Sequence, residues 1–145
     1  LQLGDAKQLL FATRMYELGW TIAHSQYHKH GHYLLLHSDL RGFSTNQQSL
    51  LADFVRYHRR KLPNPIDEVF TASQCKAILI LRLSVIINRD RQDREPSPVQ
   101  LEFSKGDVAI RADKAWLEAS PLTESELQTE CEEWARVGKL VELNP

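Results

Sequence analysis

Eleven residues, Ala77 to Ile87, constrain this chain most: AILILRLSVII. They are apolar nearly all round, and a helix with no polar face belongs in the middle of a bundle. The β-branched residues argue for a strand, but the length of the apolar segment favours a helix. With Ser73 as its cap, the pattern predicts a helix over about Gln74–Arg91. Crossing a bilayer takes about 20 apolar residues. This run is much shorter and is interrupted by Arg82, so it predicts a buried helix and no membrane span. No signal-peptide pattern precedes it.

The other elements follow from local signals. Gly4-Asp5 reads as a helix start with Asp5 as N-cap, Leu9, Leu10, Thr13, Tyr16 and Glu17 keep helical spacing, and Gly19 is a stop. Trp20 is expected to be a core anchor in the connector that follows. A second helix is expected over Tyr27–His37. Ser44 and Gln47 form a capping-box pattern that opens a third helix to about Arg59, burying Leu50, Leu51, Phe54, Val55 and Tyr57 or His58. Pro63 and Pro65 end it, and Ile66–Phe70 forms a short helical turn. After Pro96-Ser97-Pro98, Val99, Leu101 and Phe103 alternate with polar residues and are answered by Val108 and Ile110 across a Lys105-Gly106-Asp107 turn, which is a β-hairpin. Thr123 and Glu126 suggest a cap for a helix over Glu124–Val137, with an acidic, solvated first half. Gly138 stops it, and Leu140–Leu143 is a final strand.

The fold class is therefore mainly α. A helical domain of about five helices covers 1–95, and a small α+β appendage with a hairpin and one helix covers 96–145. A composition of 42% hydrophobic and 26% charged residues is that of a soluble globular protein. Leu1 stands where a Met is expected, which predicts a piece of a longer chain. Cys75 and Cys131 form no C-x-x-C pair. Each is expected to be a buried, reduced thiol, consistent with a reducing compartment.

The net charge of −1 conceals a gradient. Residues 1–62 carry eight Lys/Arg against four Asp/Glu, and residues 96–145 carry five against ten. A basic front suggests a polyanionic partner, or attraction between the two halves. All six histidines lie between His24 and His58, and Arg56-Tyr57-His58-Arg59-Arg60-Lys61 closes the stretch. Arg56, Arg59 and Arg60 share one helical face. Guanidinium forks match phosphate oxygens, but a solvated cationic helix end is also stable against the dipole. His24, His28 and His32 are spaced i, i+4, which suits a metal, a phosphate-binding surface or plain polar packing. No Gly-rich phosphate loop, G-x-S-x-G or H-E-x-x-H is present.

The segments Met15–Gly19, His24-Ser25, Tyr27-His28-Lys29-His30-Gly31, Ser38-Asp39-Leu40 with Gly42-Phe43-Ser44, and Val55–Pro63 occur in an order and spacing that resemble the C-terminal region of the exopolyphosphatase/guanosine pentaphosphate phosphatase family. Leu81-Arg82-Leu83 and Asn88-Arg89 extend the likeness, which covers most of 5–95 and is closer to the exopolyphosphatase branch. The resemblance implies a helical domain related to HD phosphohydrolases, followed by a small terminal domain. An HD enzyme needs a His-Asp pair and a later Asp to hold a metal. Tyr16-Glu17 and Val85, with Asn88 nearby, stand at those positions, so a degenerate HD scaffold with neither catalytic nor metal residues is expected.

The resemblance further implies a bacterial, cytoplasmic hydrolase, with peripheral association at the inner membrane as an alternative. Its active site would lie in N-terminal actin-like domains of the same chain, where Mg²⁺ is expected, and this segment would need no cofactor of its own. Its partners would be inorganic polyphosphate and a second copy in a homodimer, and not nucleic acid. The polyphosphate-binding set is expected to be His24, His28, Lys29, His30, Arg56, His58, Arg59, Arg60 and Lys61. The rival readings are a self-contained HD-type phosphohydrolase holding a metal through His24, His28, His30 and His58, and a purely structural dimerisation module.

Overall fold

A computed structural model describes residues 1–92, 94–104 and 106–145. The chain divides into two compact units: residues 1–61 with 70–82, and residues 62–69 with 83–145. The apolar run therefore serves both units in succession, because its helix passes from the first to the second after Arg82.

The first unit is all helical. It contains α1 (Leu3–Met15), a 3-10 turn at Leu18–Thr21, α2 (Tyr27–His37), α3 (Thr45–Tyr57) and the first part of α4 (Ala72–Ile87). The bounds of α2 match the expected span. Ser44 and Gln47 cap α3 reciprocally, as their spacing predicts. The α3 stripe Leu51, Phe54, Val55 and His58 is buried, with Ala12, Leu35, Ala77, Ile78, Leu79 and Leu81 among the other core residues. Leu50 is only half buried.

Two caps differ from expectation for a common reason. Helix α1 begins at Leu3 with Gln2 as its N-cap, so Asp5 lies within the first turn, where it still favours the positive end of the helix dipole. The Gln2 N–H donates to Ser73 Oγ at 2.8 Å, so Ser73 serves α1 and not α4. The cap of α4 is Thr71: the Gln74 N–H donates to Thr71 Oγ1 (3.3 Å), and the Thr71 N–H donates to Gln74 Oε1 (3.0 Å). Helix α4 ends at Ile87, short of Arg91, where the Asn88 side chain and backbone N–H groups both donate to Ser84 O.

Trp20 is not a core anchor. It is 46% exposed, with its ring against His24 (5.4 Å) and Tyr27 (5.5 Å). Its neighbour Gly19 is the buried contact. A Cβ built there would lie 1.8 Å from Tyr27 O and 2.6 Å from Gly31 N. The glycine lets the 3-10 turn reach the backbone of α2, and neither of those backbone atoms can rotate away. Gly19→Ala is expected to destabilise the protein by about 3 kcal/mol, the upper end for overpacking, measured as a lowered urea midpoint at unchanged m-value.

The second unit combines a three-stranded sheet with two helices of its own, the end of α4 and a 3-10 turn at Ile66–Glu68. Strands β1 (Val99–Phe103) and β2 (Val108–Ala112) form the expected antiparallel hairpin, with Leu101 opposite Ile110. Gly106 adopts φ +107° in the turn; Lys105 of the expected turn lies outside the described residues. Strand β3 (Val141–Asn144) pairs with β2 in parallel, giving the order β1-β2-β3. A parallel neighbour requires a crossover, supplied by α5 (Lys114–Glu118) and α6 (Pro121–Arg136). The short helix α5, capped by Asp113, has no counterpart in the sequence expectations. Helix α6 starts at Ser120 with Pro121 at its first position, and not at a Thr123 cap. Its acidic face is not wholly solvated. Glu130 is buried and accepts the Trp134 indole N–H at 2.7 Å, while Glu133 accepts the Leu62 N–H at 2.5 Å.

Cys75 is buried and Cys131 half buried, and neither forms a disulfide. Burial raises the Cys131 thiol to about 11, with Glu130 adding to the shift, so it stays protonated near neutral pH. Among the described residues, no helix is long and apolar enough to cross a membrane.

Candidate functional site

In the first unit a cavity with a volume of about 670 Å³ lies between the start of α2 and the end of α3. Each wall has a local cause. At the start of α2, Gln26 adopts the left-handed conformation (φ 54°), turning the chain so that His24, Ser25 and Gln26 face the opening before the helix begins. At the far wall, α3 stops at Tyr57 and Arg60 is also left-handed (φ 67°), which splays Arg59, Arg60 and Lys61 around the opening.

The carbonyls freed where α3 ends are claimed by side chains, as a helix terminus requires. Arg82, 4% exposed, donates to Tyr57 O (2.8 Å) and Arg60 O (3.0 Å). The His58 Nδ1–H donates to Val55 O at 2.6 Å. That leaves Nε2 of the neutral ring as an acceptor, and the Tyr27 O–H donates to it at 3.2 Å.

Of the nine expected site residues, His24, His28, Lys29, Arg56, Arg59, Arg60 and Lys61 line this cavity, and His30 and His58 do not. His58 is 2% exposed, so it is a core histidine that supports the site from behind. His30 is half buried on α2, outside the lining. The i, i+4 row does not form one face. Helix α2 begins only at Tyr27, so His24 precedes it, and His32 turns to Asp53, with Nε2 and Oδ1 3.2 Å apart. Ser25, Gln26 and Tyr57 line the cavity although the sequence did not single them out. The only available signal, a left-handed residue before α2, has no glycine to announce it.

The electrostatics are one-sided. The lining includes five cationic side chains and no carboxylate. The Arg59 guanidinium lies over the Tyr27 ring at 4.9 Å, a cation–π contact that fixes its direction. Burial lowers the His28 pKa to about 4, and Arg59, Lys29, Arg60 and Arg56 add to the shift. Burial likewise lowers His58 to about 4, against the opposing pull of its bond to Val55 O.

His58 has a consequence for stability. Its folded pKa lies below the unfolded value of about 6.5, so the unfolded chain binds the extra proton and stability falls as pH drops from about 6.5 to 4. Unfolding free energy at pH 4.5 is expected to be about 2–3 kcal/mol lower than at pH 7 from this residue. Urea titrations of the wild type and His58→Phe measure it, with a shallower pH dependence in the variant.

The positions implied for an HD metal centre do not fit one. Tyr16 packs its ring edge on His58 at 5.2 Å, and Val85 offers no ligand. Among the described residues, no group of three or more His, Cys, Asp and Glu converges in a way that could hold a metal ion. The arrangement offers donors and positive charge to an anion.

The profile of Ppx/GppA phosphatase, domain III, matches residues 2–131. Among curated proteins, the chain is 34% identical over 134 residues to a guanosine-5′-triphosphate,3′-diphosphate pyrophosphatase of Aliivibrio fischeri, covering 90% of this chain and 27% of that protein. It is 32% identical over 137 residues to the protein of the same name from Photobacterium profundum (92% and 28%), and 30% identical over 129 residues to that from Vibrio cholerae (88% and 26%). The chain thus spans about a quarter of the length of the curated relatives it matches.

Proposed function

This chain belongs to the Ppx/GppA phosphatase family, whose domain III it carries, and from that premise we propose that its cationic cavity holds a phosphate chain that is hydrolysed elsewhere in the parent enzyme. The observation that carries this reading is the lining itself: Lys29, Arg56, Arg59, Arg60 and Lys61 with no carboxylate among them. Such a cluster repels itself, and a polyanion relieves the repulsion while releasing its own counterions. Arg and Lys heads supply charge-assisted bonds to phosphate oxygens. The reacting groups and their Mg²⁺ belong, in this reading, to the N-terminal actin-like domains of the parent. Inorganic polyphosphate is the preferred ligand, because a cavity walled by cations suits a repeating anion. Homodimerisation is a second role of the region.

Titrating the 145-residue chain with long-chain inorganic polyphosphate tests the reading. Binding is expected at low salt, with log Kd rising linearly with log salt at a slope of roughly 0.7 per cation engaged. Absence of binding at low salt would falsify it. A second reading, guanosine pentaphosphate as the chain-bearing ligand, is favoured by the names of the curated relatives. It predicts that guanosine pentaphosphate outcompetes inorganic chains of equal charge. Sedimentation equilibrium tests the dimer, and a monomer at micromolar concentration would rule it out.

A further inference from the structure

His28 is an unusual member of the cavity wall. It is only 7% exposed, and its buried Nδ1 has no hydrogen-bond partner. A buried polar atom is normally satisfied, so an orphan beside a cavity marks an interaction completed by something that enters. The charges around the ring are of one sign. On its own helix stands Lys29, and from the end of α3 come Arg56, Arg59 and Arg60. His28 in turn acts on His58 of the same segment, and the Tyr27 ring meets His28 edge-on at 6.3 Å. The 3-10 turn Leu18–Thr21, packed against α2, brings no titratable side chain. His24 lines the same cavity ahead of the helix.

We propose that the cavity takes up a proton together with its anion, and that His28 is the group that receives it. The inference rests on the chain-holding reading above. In the free protein, burial and four cations keep the imidazole neutral, at about 4. A bound phosphate chain places negative charge against the same cations, so the field that excluded the proton is cancelled or reversed. The imidazolium then has two N–H donors, where the neutral ring has one donor and one acceptor, and the added donor points to an acceptor-only phosphate oxygen. No covalent step is involved. The proton comes from solvent and returns to it on release.

The sign of the linkage follows. Binding raises the pKa of His28, so affinity increases as pH falls through the bound-state value and levels off below about 4, where the free protein is protonated too. One proton per site corresponds to at most a tenfold gain in affinity per pH unit. Holding is thereby made sensitive to acidification, a property that surface lysines and arginines alone do not confer.

Calorimetry of the 145-residue chain with long-chain inorganic polyphosphate, in two buffers of different ionisation enthalpy between pH 8 and 5, reads the proton count directly. Long chains keep titrating end groups dilute. Net uptake approaching one proton per site is expected, with affinity rising as pH falls. His28→Gln should lose the uptake and flatten the pH dependence, whereas His37→Gln, at an exposed histidine outside the cavity lining, should keep both. Should His28→Gln fold poorly, the ring signals of His28 in the wild type provide the second measurement, and their midpoint should move up when polyphosphate is added. Binding with no proton uptake, or an unmoved His28 midpoint, overturns this inference and leaves the chain-holding role standing. No binding at any pH at low salt overturns both.

Discussion

Reversing two charges, in Arg59→Glu/Arg60→Glu, is expected to weaken polyphosphate binding by about two orders of magnitude. Both side chains line the cavity from the segment after α3. A hydrogen bond to a charged group contributes about 1.5 kcal/mol at the low end, and losing two amounts to roughly a hundredfold. The substituted carboxylates would repel the chain as well, so the loss is a lower bound. The salt dependence should become shallower by roughly 1.4 in the log–log slope, at about 0.7 per cation. The fold is expected to tolerate the change. Arg60 is exposed, and Arg59 forfeits a cation–π contact with Tyr27 of about 0.5–1 kcal/mol. Arg111→Glu/Lys114→Glu, which reverses two exposed cations outside the cavity lining, is the matched control. Its affinity should stay within about twofold. Equal losses in the two variants would show that only overall charge matters and that the cavity is not the site.

Arg82→Met is expected to be the most damaging single substitution for stability, by about 3–5 kcal/mol, since two carbonyl acceptors each lose a partner at a cost of about 1–3 kcal/mol. Methionine keeps much of the volume but supplies no donor, so the carbonyls of Tyr57 and Arg60 lose part-buried bonds of 2.8 and 3.0 Å. Those two carbonyls bracket the segment that turns Arg59 and Arg60 toward the cavity. The variant should therefore show two deficits together: a lower denaturation midpoint, and weaker polyphosphate binding under conditions where it is still folded. Lost stability with unchanged affinity would separate the buried arginine from the site.

Much of this organisation is legible in the sequence, and the exceptions have physical causes. The ends of α2 and the cap of α3 follow from local rules, because a capping box needs only residues three apart. Period-two alternation fixes the hairpin register because one slip would invert every side chain. The cationic cavity is foreshadowed by Arg56, Arg59 and Arg60 on one helical face. His58 is the instructive exception. Its basic neighbours group it with the anion ligands, yet Leu51, Phe54, Val55 and His58 are spaced three, one and three apart, which is the buried stripe of an amphipathic helix and one of the two endings that α3 offers. Chemical type drew attention outward while periodicity pointed inward. Ser73 and Thr71 compete for the same cap, and the choice falls to a contact with Gln2, 71 residues away in sequence. Nothing local encodes that. The exposure of Trp20 follows from how closely the 3-10 turn approaches α2, which is set by Gly19 and not by the indole.

The parallel pairing of β3 with β2 gives the second unit an order of events during synthesis. A ribosome delivers the β1–β2 hairpin first, and the partner for the other edge of β2 follows only after α5 and α6, with Val141 opposite Val108. At about 5–20 residues per second, the hairpin waits seconds with that edge open. Unpaired edges invite pairing with other chains, so premature termination within α6 should yield a product that self-associates, although its hairpin residues are unchanged. The last four-residue strand thus closes a vulnerability opened some 30 residues earlier.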